Sequence, residues 1–428
     1  MESPKETSLL LKAHELRVGM FVHIELGWLD HPFALNRFRI ATDQQLADIR
    51  SLNLKQVLVI PSRSGDGLFK DSLLKALSVN TTDKHISGGT SLVEPNNELM
   101  LALQKANLEH CDKTFHQATV QWKKIMTDVM GNPLEARLQC NAMLSGFLKE
   151  TSGQQDTHIR LLSEAAGESF VLHALNVTVM ALLLGRALNF SDSELEDVGM
   201  AALLHDMGKQ KLPERVRLGI NLTPAQDIAA RGHVQESLQM GRAMGLSSGV
   251  LTIIAQHHEL ADGSGFPQGL NAQQIVRGAL VVSLVNVYDN LNNPNSSMLS
   301  LTPHEAMSIL FAQRKLQFEA ETLQAFVKLM GVYPPGSLIQ LNDDRFAMVV
   351  SANATRPHKP SVLVHDALIP AEKALILDLQ TMPHLTIRRS LHARNLPPAA
   401  LAYLSPRKRV SYFFERSTGS DTLTGVSQ

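Results

Sequence analysis

Between His173 and Asp289 the sequence gathers imidazoles and carboxylates at spacings suited to holding divalent cations. In order they are His173 in FVLHALNV, the pair His205-Asp206 in AALLHDMGK, His233 in RGHVQES, His257-His258-Glu259 in IAQHHELADGSGFP, and Asn286 to Asp289 in SLVNVYDNL. Such donors bind Zn, Mn or Fe at hydrolytic centres. An aspartate beside a histidine can reach two cations at once. A bridging carboxylate keeps two ions about 3.5–4 Å apart, where they share a hydroxide and clamp a phosphodiester. The second adjacent pair, His257-His258, can close on one ion from another helix end, with His233 as a third imidazole. His173 sits on an otherwise apolar helix and is costly to bury unless something binds it. Taken singly, a buried histidine is more often satisfied by a carbonyl; taken together, these residues imply a metal-dependent hydrolase.

The elements that must position them are helices. From 136 to 332 apolar residues recur at helical intervals in LEARLQCNAMLSGFLK, SFVLHALNVTVMALLLGRAL, SDSELEDVGMAALLHDMG, TPAQDIAARGHVQESLQMGRAM, SGVLTIIAQHHE, AQQIVRGALVVSLVNVYDNL and TPHEAMSILFAQ. Asp192, Thr223 and Thr302 stand where N-caps belong, and Pro303 with Glu305 strengthens the last. The expected fold class is mainly α, a central all-helical bundle. Ahead of it, 96–135 reads as a helical connector with a break at Gly131-Asn132-Pro133; its apolar face can cover the bundle or pair with a second subunit in a homodimer. His110, His116 and His158 are isolated and read as exposed or packed rather than as ligands.

The flanks differ in pattern. Residues 1–62 alternate β-like runs, MFVHIEL and QVLVIP, with one helical stretch from Asp43 to Leu52 capped by Thr42, a small α/β domain. Residues 63–95 are rich in Ser, Gly, Thr, Asp and Asn and read as a flexible linker. After Tyr333-Pro334-Pro335-Gly336 the pattern turns to alternation in SLIQL, RFAMVVSAN and SVLVHDAL, with a turn at Asn342-Asp343-Asp344. Residues 333–415 are therefore expected as a small β-rich C-terminal appendage with a helix near 397–403, and 416–428 as a disordered tail.

Composition narrows the function classes. Forty Lys+Arg against forty-one Asp+Glu leave a formal charge of −1 over 428 residues, so no overall field favours a nucleic-acid polymer or an anionic membrane. An anionic substrate must be met locally. Cys111 and Cys140 lack metal-type spacing and suit a reducing compartment, where they read as inert thiols. The start lacks a secretory pattern, and the longest apolar run, VLHALNVTVMALLLG, is interrupted by His173, Asn176 and Thr178; a cytoplasmic protein is expected.

The segments HDMGK, HHELADGSGFP and VYDNL resemble those of the HD-GYP family, a branch of the HD-domain phosphohydrolases. The likeness covers about 160–310. The stretch LRVGMFVHIELGWLDHPFALNRFRI, with Gly19, Met20, Val22, Trp28, Leu29, Pro32 and Phe33, resembles a small domain often found upstream of that family. The resemblance implies a helical bundle with two or three metals, often Fe or Mn, that hydrolyses the bacterial messenger cyclic di-GMP to pGpG or on to GMP. Carried over, His173, His205 and Asp206 hold the first metal, and Asp206, His233, His257 and His258 hold the second. Lys209 matches the lysine that meets the scissile phosphate. Gly263, Gly265, Phe266 and Pro267 match the signature loop, read as structural or partner-binding.

Departures from the family pattern are specific. The family's last metal ligand is an aspartate, and the corresponding residue is Asn286, whose neutral amide oxygen binds a cation more weakly. The signature tyrosine is Phe266. Asn295 and Met298 stand near the places where basic residues hold the dinucleotide, and RLGINL lacks a lysine expected before His233. The acidic residue that supports a third metal is replaced by Ser169, beside Glu168, so at most two ions are expected, and one if Asn286 fails as a ligand. Two readings follow: a working cyclic di-GMP phosphodiesterase of weakened activity, or a catalytically degenerate module that senses nucleotide or binds a signalling partner such as a GGDEF-type cyclase. A third, a phosphohydrolase of another nucleotide, fits DGSGFP less well.

Overall fold

The computed structural model describes residues 9–24, 37–52, 54, 56–60, 64, 95–151, 157–163, 169–217, 222–294, 301–352, 357–382, 384–407 and 409–416. The chain divides into two compact units, Met1–Val93 and Glu94–Gln428.

In the first unit four strands, β1 (Leu9–Leu11), β2 (Phe21–His23), β3 (Arg37–Arg39) and β4 (Val57–Val59), form an antiparallel sheet in the order β1-β4-β2-β3. The expected helix spans Asp43–Ser51, and Thr42 caps it by accepting from the Gln45 amide at 3.2 Å. Met20, Val22 and Ile24 fall on one side of the pleat and join Ile40, Ile49 and Val59 in a small core. Of the residues that carry the N-terminal likeness, Gly19 takes a φ of 95° and Met20 and Val22 are buried. Trp28, Leu29, Pro32 and Phe33 lie outside the described residues, as does the expected linker apart from Ser64 and Pro95.

The second unit is built on the helix Ser169–Ala187, whose side chains from Val171 to Gly185 are all buried. A helix apolar on every side must be a core element or a membrane span. Residues 170–187 satisfy the length and hydropathy of a span, yet 83% of that window is buried inside the fold. It packs against the helices Asp192–Leu204 and Arg277–Asn292. The connector forms the helix Pro95–Gly131, and after the expected break at Asn132 the helix Pro133–Thr151 runs on into the bundle. It covers the bundle: Trp122 donates its indole N–H to Leu203 O at 3.2 Å and meets Phe170 edge-on at 5.2 Å.

Thr223 and Thr302 cap the helices Pro224–Arg231 and Pro303–Ala312 with reciprocal partners Gln226 and Glu305. The cap expected at Asp192 is one residue earlier, at Ser191, because only there can Glu194 reach back to the cap amide. The stretch 223–244 breaks at Gly232 into two helices, and the second, His233–Met244, begins on a candidate ligand.

The β-rich C-terminal region contributes β6 (Leu338–Leu341), β7 (Phe346–Ser351), β8 (Ser361–Val364), β9 (Ile376–Asp378), β10 (Ile387–Leu391) and β11 (Tyr412–Arg416), with a helix at Pro398–Leu404. Asp344 closes the turn between β6 and β7 with a φ of 68°. The sheet also takes in β5 (Thr157–Leu161), from within the range 136–332 expected as an all-helical bundle, in the order β10-β6-β7-β5-β11 with β8 and β9 branching from β7. β11 pairs antiparallel with β5, Tyr412 opposite Leu161, and Phe413 and Phe414 pack against Phe147 at 5.8 and 5.7 Å.

Candidate metal centre

Three of the candidate histidines stand at helix ends. His205 follows Asp192–Leu204, His257 follows Ser248–Gln256, and His233 follows the short helix Pro224–Arg231 across Gly232. The last carbonyls of a helix have no intrahelical donor. Each of these rings supplies one through Nδ1: His205 to Ala202 O at 2.8 Å, His233 to Ala230 O at 2.7 Å and His257 to Ile254 O at 2.7 Å. A carbonyl oxygen only accepts, so Nδ1 carries the proton and Nε2 is left with its lone pair. His173, mid-helix, reaches the same state by donating from Nδ1 to Asp289 Oδ2 at 2.7 Å. Metal-binding histidines are held this way, with the remote ring nitrogen on a carbonyl or carboxylate.

The four lone pairs converge on Asp206. Its Oδ2 lies 3.7 Å from His173 Nε2 and 3.4 Å from His205 Nε2, and its Oδ1 lies 3.2 Å from His233 Nε2 and 3.7 Å from His257 Nε2. His258 Nε2 adds a contact with His233 Nε2 at 3.1 Å. The cluster therefore resolves into two sets able to hold an ion, His173, His205 and Asp206 on one side and Asp206, His233, His257 and His258 on the other. Asp206 is common to both, one oxygen to each.

The donors fit cations. His173 Nε2 and His205 Nε2 are 3.3 Å apart, a contact between two lone pairs that only a proton or a metal makes favourable. Asp206 Oδ1 and His257 Nε2 are buried without a hydrogen-bond partner, an expensive condition in an otherwise well-packed interior. Burial pushes the His257 imidazole down to about 4 and lowers those of His205 and His258, so these rings are neutral at neutral pH, the state in which an imidazole can bind a cation. Burial alone would raise the Asp206 carboxyl. The Lys209 ammonium and the surrounding imidazoles outweigh it and hold the group ionised, well below its ordinary range. Lys209 Nζ sits 2.5 Å from Asp206 Oδ2.

The turn after Asp206 is held against the helix that begins at His233. Ser237 Oγ donates to His205 O and accepts from the Gly208 amide, both at 2.9 Å. A Cβ on Gly208 would fall 2.2 Å from His233 O, so only glycine lets the two segments that carry the candidate ligands meet. The loop after His258 is pinned by Glu259, whose buried carboxylate accepts from the Gln268 amide at 2.7 Å and the Leu270 amide at 2.9 Å. Gly265 passes so close to the His258–Leu260 backbone that a Cβ there would lie 2.4 Å from Leu260 N. Gly263 takes a φ of 78° in the same loop. Phe266, ahead of Pro267, lies flat on His258, ring centroids 4.4 Å apart, with the Arg231 guanidinium 4.9 Å from its centre.

Asn286 is buried, and its Oδ1 accepts from Asn290 Nδ2 at 2.7 Å. The sequence places Glu259 and Asp289 within the cluster but assigns neither a role, and it marks Asn176 only as an interruption of an apolar run. A buried asparagine three positions after His173 on an apolar helix was the available signal for Asn176; nothing local marked Asp289 as the partner of His173. Ser169 begins its helix, while Glu168, Asn295 and Met298 and most of RLGINL lie outside the described residues.

Residues 154–321 match the HD domain family. The central bundle is an HD domain. Residues 9–138 match a domain of unknown function, DUF3391, which lies ahead of the HD domain and takes in the N-terminal unit and part of the connector. A cyclic di-GMP phosphodiesterase of Pseudomonas aeruginosa is 27% identical over 361 residues, 82% of this chain and 83% of that protein. The cyclic di-GMP phosphodiesterase response regulator RpfG of Xanthomonas campestris is 32% identical over 153 residues, 35% of this chain and 40% of that one. A 3'3'-cGAMP-specific phosphodiesterase of Vibrio cholerae is 26% identical over 194 residues, 44% of this chain and 37% of the other. The HD-GYP likeness carried by HDMGK, HHELADGSGFP and VYDNL stands with this HD domain.

Proposed function

We propose that the protein is a metal-dependent phosphodiesterase that hydrolyses cyclic di-GMP to pGpG or GMP in bacterial second-messenger signalling. The observation that carries this reading is Asp206, buried, ionised and facing the Nε2 atoms of four histidines, His173, His205, His233 and His257, at 3.2 to 3.7 Å. The relatives named for cyclic dinucleotides support the substrate class. His173, His205 and Asp206 would hold one cation, and Asp206, His233, His257 and His258 a second. An imidazole-rich set with a single bridging carboxylate suits transition-metal cations, and the HD-GYP resemblance implies Fe or Mn, two ions at most. Bound cations of this kind act as Lewis acids and lower the pKa of water.

The chain's own residues divide the remaining work. Asp206 fixes the spacing of the two positions. Lys209 brings a positive charge to the same carboxylate, where it can take up charge on a phosphate oxygen. Glu259 and the loop through Gly263, Gly265, Phe266 and Pro267 hold His258 in place from outside. The decisive test is metal content of anaerobically prepared protein together with hydrolysis of cyclic di-GMP under added Mn or Fe. Metal-dependent product that disappears in a His205→Ala, Asp206→Ala variant is expected; no product with either metal would overturn the proposal.

One observation favours a second reading. Asn286, where a carboxylate would compensate the first cation, is neutral and already engaged with Asn290. A site left with one ion would bind a cyclic dinucleotide or a partner such as a GGDEF-type cyclase without turnover, and the same assay separates the two: nucleotide binding without product supports it.

A further inference from the structure

His173 is oriented by Asp289, and Asp289 is itself held by two asparagines. Asp289 Oδ1 accepts from Asn176 Nδ2 at 2.9 Å and from Asn293 Nδ2 at 3.0 Å. The second hydrogen of each amide goes to one acceptor, Val410 O, at 2.9 Å in both cases. The amide oxygens are used as well: Asn176 Oδ1 accepts from the Tyr412 N–H at 3.1 Å, and Asn293 Oδ1 from the Val410 N–H at 2.9 Å. The network is closed, every donor and acceptor of the two amides being paired. A fully satisfied buried network of this kind fixes its members in one arrangement.

Only asparagine serves both ends. An aspartate at either position would face Asp289 with like charge, and an apolar residue would orphan the backbone of 410–412. Val410 and Tyr412 lie well beyond residues 154–321, the extent of the HD match. They are anchored independently, by the pairing of Tyr412–Arg416 with Thr157–Leu161 and by burial of Phe413 and Phe414.

We propose that the segment 410–412, which leads into the C-terminal strand, is the outer support of the first metal position: through Asn176 and Asn293 it fixes Asp289, and Asp289 fixes the tautomer and orientation of His173. Asn176, Asp289 and Asn293 are positioning residues. The inference rests on the reading of His173, His205 and Asp206 as ligands, and deepens it.

The test uses the full-length protein with Mn(II) as the probe. In Asn293→Ala the affinity of one Mn position should fall roughly 10–100-fold, the usual consequence of losing an outer partner of a ligating histidine, with the other position unchanged and cooperative melting of the metal-free protein retained. Nitrogen-15 spectra of the metal-free histidines should show His173 protonated at Nδ1 in the wild type and mixed between tautomers in the variant. If Asn293→Ala does not fold, the isosteric Asp289→Asn gives the same two readouts. Unchanged Mn affinity at both positions in a folded variant overturns the inference, as does wild-type protein that binds no Mn. A wild type that binds Mn, weakens as expected on substitution, and hydrolyses no cyclic di-GMP leaves the inference standing and removes the proposed activity instead.

Discussion

The ring of Phe266 lies against that of His258 at an interplanar angle of 20°, so a residue that lacks the family's hydroxyl still makes a face contact with a candidate ligand. Aromatic contacts of this kind contribute about 0.5–1.5 kcal/mol beyond buried area. Phe266→Ala should lower stability by at least that amount and weaken metal retention at the His233, His257 and His258 position, whereas Phe266→Tyr should leave both near wild type. Thermal melts with and without Mn, paired with metal analysis, read the difference. Equal losses in the two variants would count against the stacking role.

Glu259 accepts two backbone N–H groups from the loop it precedes. Glu259→Ala removes both acceptors and should destabilise the protein by about 1–3 kcal/mol per amide left buried. Urea unfolding measures the loss, and limited proteolysis should find new cleavage between Asp262 and Leu270. A variant with wild-type stability and no new cleavage would show that the loop is held by something else.

Asn286→Asp adds a carboxylate to a buried position already supplied with one donor, Asn290. Without metal the new charge should cost about 1–3 kcal/mol; with metal it should be compensated, raising both metal content and rate. The expected signature is a lower melting temperature for the metal-free variant and a larger rise on Mn addition than in the wild type. No gain in metal or rate would refute the view that Asn286 weakens the first position.

Burial pushes the Cys140 thiol up to about 12 and the Cys111 thiol up to about 11, and Cys111 donates to Phe414 O at 3.4 Å. A thiol reacts as its thiolate, so both should resist a disulfide reagent at pH 8 in the native protein and react in denaturant. Stoichiometric labelling of native protein would contradict the burial of these two side chains.

Much of the bundle was legible because it rests on local rules. Apolar spacing marks Ser169–Ala187 and Arg277–Asn292, and the side chains of Thr223 and Thr302 announce their helices a residue ahead. The histidines could be grouped because four of them, His205, His233, His257 and His258, carry a second candidate ligand or a glycine as neighbour. What stayed hidden depends on segments far apart. His173 meets Asp289 across 116 residues, and Asn293 meets Val410 across 117. No periodicity reports such pairings. The strand Thr157–Leu161 was likewise invisible, since its partner Tyr412–Arg416 lies on the far side of the whole HD domain.

The three helix-end histidines impose a rule on how this chain can change length. A helix advances about 100° per residue, so one residue gained or lost between the cap at Ser191 and His205, or between Ser247 and His257, would swing the ring off Asp206 while leaving the helix itself sound. Changes of length are confined to segments outside these two stretches, and a duplicated or deleted residue inside these helices should erase the site before it disturbs the fold.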